Sequence, residues 1–261
     1  NYIGVDASGN TSLGNDGDGI ILWNAGNNNI LGSATAGNVI AANAQTGIFI
    51  DTAIGTVVQG NRIGVTVNGT AAGNSQEGIL LYTGVSNSQI GGAAAGQGNW
   101  VANNSWNGIN AFGVAGSGNA FLGNTFSGNG SLAIELNDDG VTANDSNDVD
   151  TGPNNLQNFP VLTLARTDAS TQLVLAGTLN SAANSHYRIE FFANTSQDAN
   201  GHGEGETYLG FAHVATDGSG NATISTTLTG NVPVGAFVSA TATRATDGSY
   251  SSFADTSEFS K

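Results

Sequence analysis

A chain of 261 residues with five Lys and Arg against 20 Asp and Glu carries a net charge of −15. Arg62 is the one basic side chain before residue 138, so nothing there neutralises a phosphate backbone, and nucleic-acid binding is excluded. The absence of cysteine excludes disulfides and thiolate metal sites, and no apolar run approaches the roughly 18 residues a membrane span requires.

Glycine at 39 positions would point to disorder, but the hydrophobic 39% of the chain falls in regular short runs, which marks a folded, loop-rich protein. From the start of the chain these runs repeat. Asn1-Tyr2-Ile3-Gly4-Val5 returns as Asn61-Arg62-Ile63-Gly64-Val65, and Gly19-Ile20-Ile21-Leu22 returns as Gly78-Ile79-Leu80-Leu81. Between and after them lie Gly47-Ile48-Phe49-Ile50, Gly108-Ile109-Asn110-Ala111 and Ala133-Ile134-Glu135-Leu136, so one coil takes about 25 to 31 residues. Each coil holds a second apolar run, at Ile30-Leu31, Val57-Val58, Ile90 or Phe121-Leu122, and a third starting at Asn38, Asn61, Asn99 or Asn124.

Three short strands per coil predict a parallel β-helix of about five coils over residues 1–137, because single coils cannot bury their apolar residues and stacked ones share a core. The asparagines at 38, 61, 99 and 124 are expected to stack at one corner as a structural ladder. The next glycine-led strand follows 9 residues after Asn38 and Asn99 but 18 after Asn1 and 17 after Asn61. Loops at 5–15 and 65–74 therefore leave the same side, as a binding face or as plain surface insertions. The repeat starts in mid-coil at Asn1 with no leader, which predicts a mature form or fragment, with further coils before it or another copy stacked there.

Residues 138–158 form an acidic linker. From Phe159 the pattern changes to strand-like runs at 161–164, 173–179, 187–193, 208–215, 222–228 and 237–243, with a seventh at Ser257-Glu258-Phe259. Residues 159–261 are thus predicted to form a two-sheet, immunoglobulin-like β-sandwich, and the whole chain to be all-β.

The segments Asn-Tyr-Ile-Gly-Val-Asp-Ala-Ser-Gly, Gly-Asn-Arg-Ile-Gly and Gly-Asn-Thr-Phe-Ser-Gly-Asn resemble the right-handed parallel β-helix repeats, pectate-lyase-like solenoids, of bacterial surface and exported proteins. The stretches 152–161 and 187–193 resemble the C-terminal module that follows such repeats. The resemblance implies a secreted or cell-surface protein and serves adhesins, enzymes and structural proteins alike.

Asp138, Asp139, Asp145, Asp148 and Asp150 crowd into 13 residues and would repel one another without a cation, so calcium is the expected cofactor, against the alternative of a solvated linker. A second acidic set is Asp198, Asn200, Glu204 and Glu206. His186, His202 and His213 lack metal-ligand spacing. If Ile20, Ile48, Ile79, Ile109 and Ile134 point inward, alternation turns Ile21, Trp23, Phe49, Leu80, Tyr82 and Phe112 outward, as an apolar stripe to be covered by a partner, by a glycan or by a loop of the protein itself.

β-Helix glycosidases and lyases need paired carboxylates or a carboxylate cluster with a base, and no such motif stands out. The expectation is therefore a non-catalytic structural or adhesive protein, assembling with copies of itself or with surface components. The alternative is a polysaccharide-binding or polysaccharide-cleaving protein that uses Asp18, Asp51 and Glu77 with Trp23, Tyr82 and Phe112.

Overall fold

The computed structural model describes residues 1–196 and 201–261, so Asp198 and Asn200 of the second acidic set lie outside the described residues. The first coil contains β1 (Tyr2–Ile3), β2 (Ile20–Trp23) and β3 (Ile30–Leu31), and the second β4 (Val39–Ile40), β5 (Ile48–Asp51) and β6 (Val57–Val58). The third contains β7 (Arg62–Ile63), β8 (Ile79–Leu81) and β9 (Gln89–Gly91). The fourth contains β10 (Trp100–Ala102), β11 (Ile109–Ala111) and β12 (Ala120–Leu122), and the fifth β13 (Thr125–Ser127) and β14 (Ile134–Leu136).

Every third strand pairs in parallel, which gives the sheets β1-β4-β7-β10-β13, β2-β5-β8-β11-β14 and β3-β6-β9-β12. Ile20, Ile48, Ile79, Ile109 and Ile134 share one register, and from Ile48 on they are fully buried. The chain is thus a parallel β-helix followed by a β-sandwich. Glycine leads the strands of the second sheet because the next coil lies close above. A Cβ at Gly78 would stand 2.6 Å from the carbonyl oxygen of Gly108 and 2.4 Å from Val101 Cγ1.

The corner asparagines stack as expected. Each amide donates to the next Oδ1, at 2.8 Å from Asn38 to Asn61, 2.9 Å to Asn99 and 2.9 Å to Asn124. A second ladder, Asn15, Asn43, Asn74, Asn104 and Asn129, runs parallel to it at 2.7 to 3.0 Å. The 5–15 and 65–74 loops pack on each other and on the first sheet: the Val67 N–H donates to the Gly9 carbonyl, and Val5, Val67 and Ala72 bury Val39 and Ala41.

The sandwich has β15 (Val161–Thr167), β16 (Gln172–Asn180) and β19 (Asn221–Thr229) in one sheet. The other sheet runs β18 (Thr207–Ala215), β17 (His186–Asn194), β20 (Phe237–Ala245), β21 (Phe253–Thr256). The last strand lies earlier than the expected 257–259, because Ser257 and Ser260 continue the chain by single N–H donations to the carbonyls of Ala242 and Ala240. Leu173, Leu175, Tyr187, Ile189, Phe191 and Ile224 fill the core between the sheets.

The sandwich closes the end of the solenoid formed by β12 of the fourth coil and β13 and β14 of the fifth. Main-chain donors that no further coil would pair are accepted instead by side chains: Gly118 by Asp255 (2.5 Å), Phe121 by Thr256 (2.8 Å), Gly123 by Glu190 (2.8 Å) and Leu136 by Glu258 (3.0 Å). Phe259 packs edge-on against Phe126 and Phe192, so the solenoid core runs into the sandwich. Among the described residues no helix is long and apolar enough to cross a membrane.

Candidate functional site

The residues expected to form an interaction surface lie on the outer face of the second sheet. Register places Ile21, Phe49, Leu80, Asn110 and Glu135 in one column, and Trp23 beside Asp51 in the next, which Tyr82, Phe112 and Asn137 extend. Phe49, Tyr82 and Phe112 form a ladder of rings with centroids 5.9 and 5.1 Å apart. Trp23 is 70% and Ile21 54% exposed, while Phe49, Leu80, Tyr82 and Phe112 are half-buried. The apolar stripe thus becomes a ring ladder that gives way to a polar amide at Asn110 and to acid at Glu135.

Where the ladder ends, carboxyl groups converge. The Asn110 side chain, fully buried, donates its Nδ2 to Asp138 Oδ1 (3.0 Å) and to Glu77 Oε1 (3.4 Å). Its Oδ1 is buried and has no hydrogen-bond partner. Asn137 and Asp138 both take left-handed backbone (φ 84° and 62°), which turns Asp138 back over the sheet. Glu135 is also buried and accepts from the N–H groups of Asp139 and Gly140, while Glu258 accepts from Leu136 and Thr142. Burial pushes Glu77 up, Glu135 up to about 7 and Glu258 up to about 8, with neighbouring carboxylates adding to each shift.

Of the acids set on this face by spacing, Asp18 accepts from the Thr46 N–H at 2.8 Å, and the Thr46 hydroxyl reaches Glu77 at 3.4 Å. Asp51 instead lies at the far end of its strand, level with Trp23. The part played by Asn110 went unread in the sequence. Its signal was a polar residue in a column otherwise apolar up to Glu135.

The five linker aspartates separate into two groups. Asp145, Asp148 and Asp150 have carboxylate oxygens within 4.8 Å of one another and could hold a divalent cation such as calcium. Asp148 accepts from the Asn158 N–H and the Ser181 hydroxyl, and burial, together with the charges of Asp150 and Asp145, raises it to about 6. Asp138 and Asp139 lie at the end of the ladder instead, against Asn110 and Glu135. The histidines stand apart from both groups: His213 stacks on Tyr250 with centroids 3.7 Å apart, His186 meets Tyr250 edge-on, and His202 Nδ1 bonds the Phe259 carbonyl.

No protein-family model matches this chain, and no curated protein matches it. Among solved structures it is similar to the enzymatically active domain of bacteriophage CBA120 tailspike protein 2, at 10% identity and a TM-score of 0.28. The match covers 93% of this chain and 52% of that one, so the chain spans about half the length of the solved domain. The expectation of a non-catalytic protein is corrected here. The fold gathers the carboxylates of Asp145, Asp148 and Asp150 within 4.8 Å of one another and brings Glu77 and Asp138 together on the Asn110 amide, so carboxyl groups of the kind catalysis uses do converge.

Proposed function

We propose that this protein acts on a polysaccharide outside the cell or at its surface, binding it across the coils on the outer face of the second sheet and cleaving it where the ladder turns acidic. The observation that carries this reading is the continuity of the Phe49, Tyr82 and Phe112 rings with Glu135, Asp138 and Asp139 on one face. Rings spaced by successive coils offer apolar faces on which sugar rings pack. A carboxyl that keeps its proton near neutrality, beside exposed carboxylates, is the pairing that hydrolysis of a glycosidic bond uses. Glu135 is such a group, and Asp138 and Asp139 are the exposed partners.

The test is a glycan array together with reducing-end release from a panel of bacterial capsular and cell-wall polysaccharides. Tyr82→Ala should weaken binding of the recognised glycan at least tenfold, and Glu135→Gln should abolish release while leaving binding in place. Wild-type protein that neither binds nor cleaves any member of the panel would sink the reading, and binding without release would remove its catalytic half.

A further inference from the structure

The protein has five basic side chains, and each is engaged or placed away from the ring ladder. Arg62 belongs to the first sheet, where it lies over the Trp100 ring and donates to the Val67 carbonyl. Arg188 and Arg244 pair with Glu190 and Asp255 in the sandwich, and these are the ion pairs among the described residues. Arg166 lies in β15, and Lys261 lines a cavity with Phe159 and His202.

The acids of the second sheet's outer face therefore have only neutral donors. Asp18 accepts from the Thr46 N–H, Asp51 from the Thr52 hydroxyl, Asp138 from the Asn110 amide and Asp139 from the Asn137 amide. Two of them bracket the rings. Asp51 shares the column of Trp23 and Tyr82 in the second coil, and the Asp138 carboxylate is held at Asn110 in the fourth. At about 4.8 Å per coil these two stand roughly 10 Å apart along the solenoid axis. A sugar packed on Tyr82, in the coil between, thus lies within about one Debye length, roughly 8 Å, of both.

An acidic sugar in that place would bring its charge up to two carboxylates with no cation to offset it. A sugar without acidic groups meets no such repulsion. Its ring packs on the aromatic faces, and its hydroxyls donate to the same carboxylates in charge-assisted hydrogen bonds. We infer that the polysaccharide taken on this face is non-anionic, its repeat carrying no carboxylate, sulfate or phosphate. The inference rests on the polysaccharide reading and names the class of chain that reading requires.

The test sets each carboxyl-bearing polysaccharide beside its carboxyl-reduced form, in which uronates become neutral hexoses and the linkages are kept. Binding of both forms to the full chain is measured calorimetrically at low salt and at about 1 M salt, where the Debye length falls to about 3 Å. At least one reduced chain should bind at least tenfold more tightly than its acidic parent at low salt, and the gap should narrow at high salt. Tyr82→Ala, with its fold checked by circular dichroism, should weaken binding of that reduced chain at least tenfold, which ties the discrimination to the ring ladder. Acidic parents bound as tightly as their reduced forms, or more tightly, would overturn the inference and leave the polysaccharide reading standing. A protein that binds no chain in either form would end both.

Discussion

At Asn99 the side-chain amide closes several bonds at once. Its Oδ1 accepts from the N–H and the Nδ2 of Asn61, and its own Nδ2 donates to Asn124 Oδ1 and to the Val58 carbonyl. Alanine there would leave the Asn61 donors and the Val58 carbonyl without these partners in a dry corner, a loss of about 3 kcal/mol when several buried bonds go together. Urea unfolding of Asn99→Ala should show that loss, against a change within about 0.5 kcal/mol for Asn68→Ala on an exposed loop. The first ladder was legible because its asparagines open the third run of each coil. The second carried the same signal, five residues after Asn38, Asn99 and Asn124, but the inserted loop puts Asn74 13 residues after Asn61 and hides the repeat. The meeting of Glu77, Asn110 and Asp138 was beyond the sequence altogether, since it depends on two consecutive left-handed residues at 137 and 138.

At the scale of the strand, β14 is where the solenoid meets its acids. Alternation along Ile134-Glu135-Leu136 was readable and turns Glu135 outward, but period-2 reasoning does not tell that a following loop buries it. Glu135 at about 7 and Glu258 at about 8 both lie above the ordinary glutamate range of the unfolded chain, mainly through burial. The folded state therefore holds more protons than the unfolded state between about pH 4.5 and 8. Their contribution is fully present below about pH 4.5 and is lost as pH rises through 7 and then 8. Asp6 and Asp168, held low by hydrogen bonds, titrate well below this window and do not oppose the trend. In chelator, the melting temperature should fall by about 5 °C or more between pH 5 and pH 9. Glu258→Gln keeps an oxygen for the Leu136 N–H while removing the titrating group, and should flatten the fall. A profile unchanged by that substitution would show that Glu258 ionises freely in the folded protein.

For the whole molecule, the union of solenoid and sandwich decides which surfaces stay closed. Both architectures were legible from periodicity, yet their joint was not, because it pairs residues about 67 to 137 positions apart, such as Gly123 with Glu190 and Gly118 with Asp255. At that joint the last strand of each solenoid sheet offers N–H donors, at Gly118, Phe121 and Gly123 around β12, Phe126 in β13 and Leu136 in β14, and the sandwich answers each with an acceptor, the Gly205 carbonyl serving Phe126. An open strand edge with these donors, bordered by Phe121 and Phe126, is a template for pairing with another chain. A protein ending at Asn137 should therefore keep parallel-β circular dichroism but form oligomers that grow with concentration in light scattering, while the full chain does not show this growth. Phe259→Ala, which thins the ring contact with Phe126 and Phe192 yet keeps the hydrogen bonds, should fall between them, at a cost of about 3 to 5 kcal/mol to the full chain. If the truncated solenoid stays folded and monomeric at every concentration, the sandwich is not what protects that edge, and the acceptors of Glu190, Asp255, Thr256 and Glu258 serve only to fix the second domain in place.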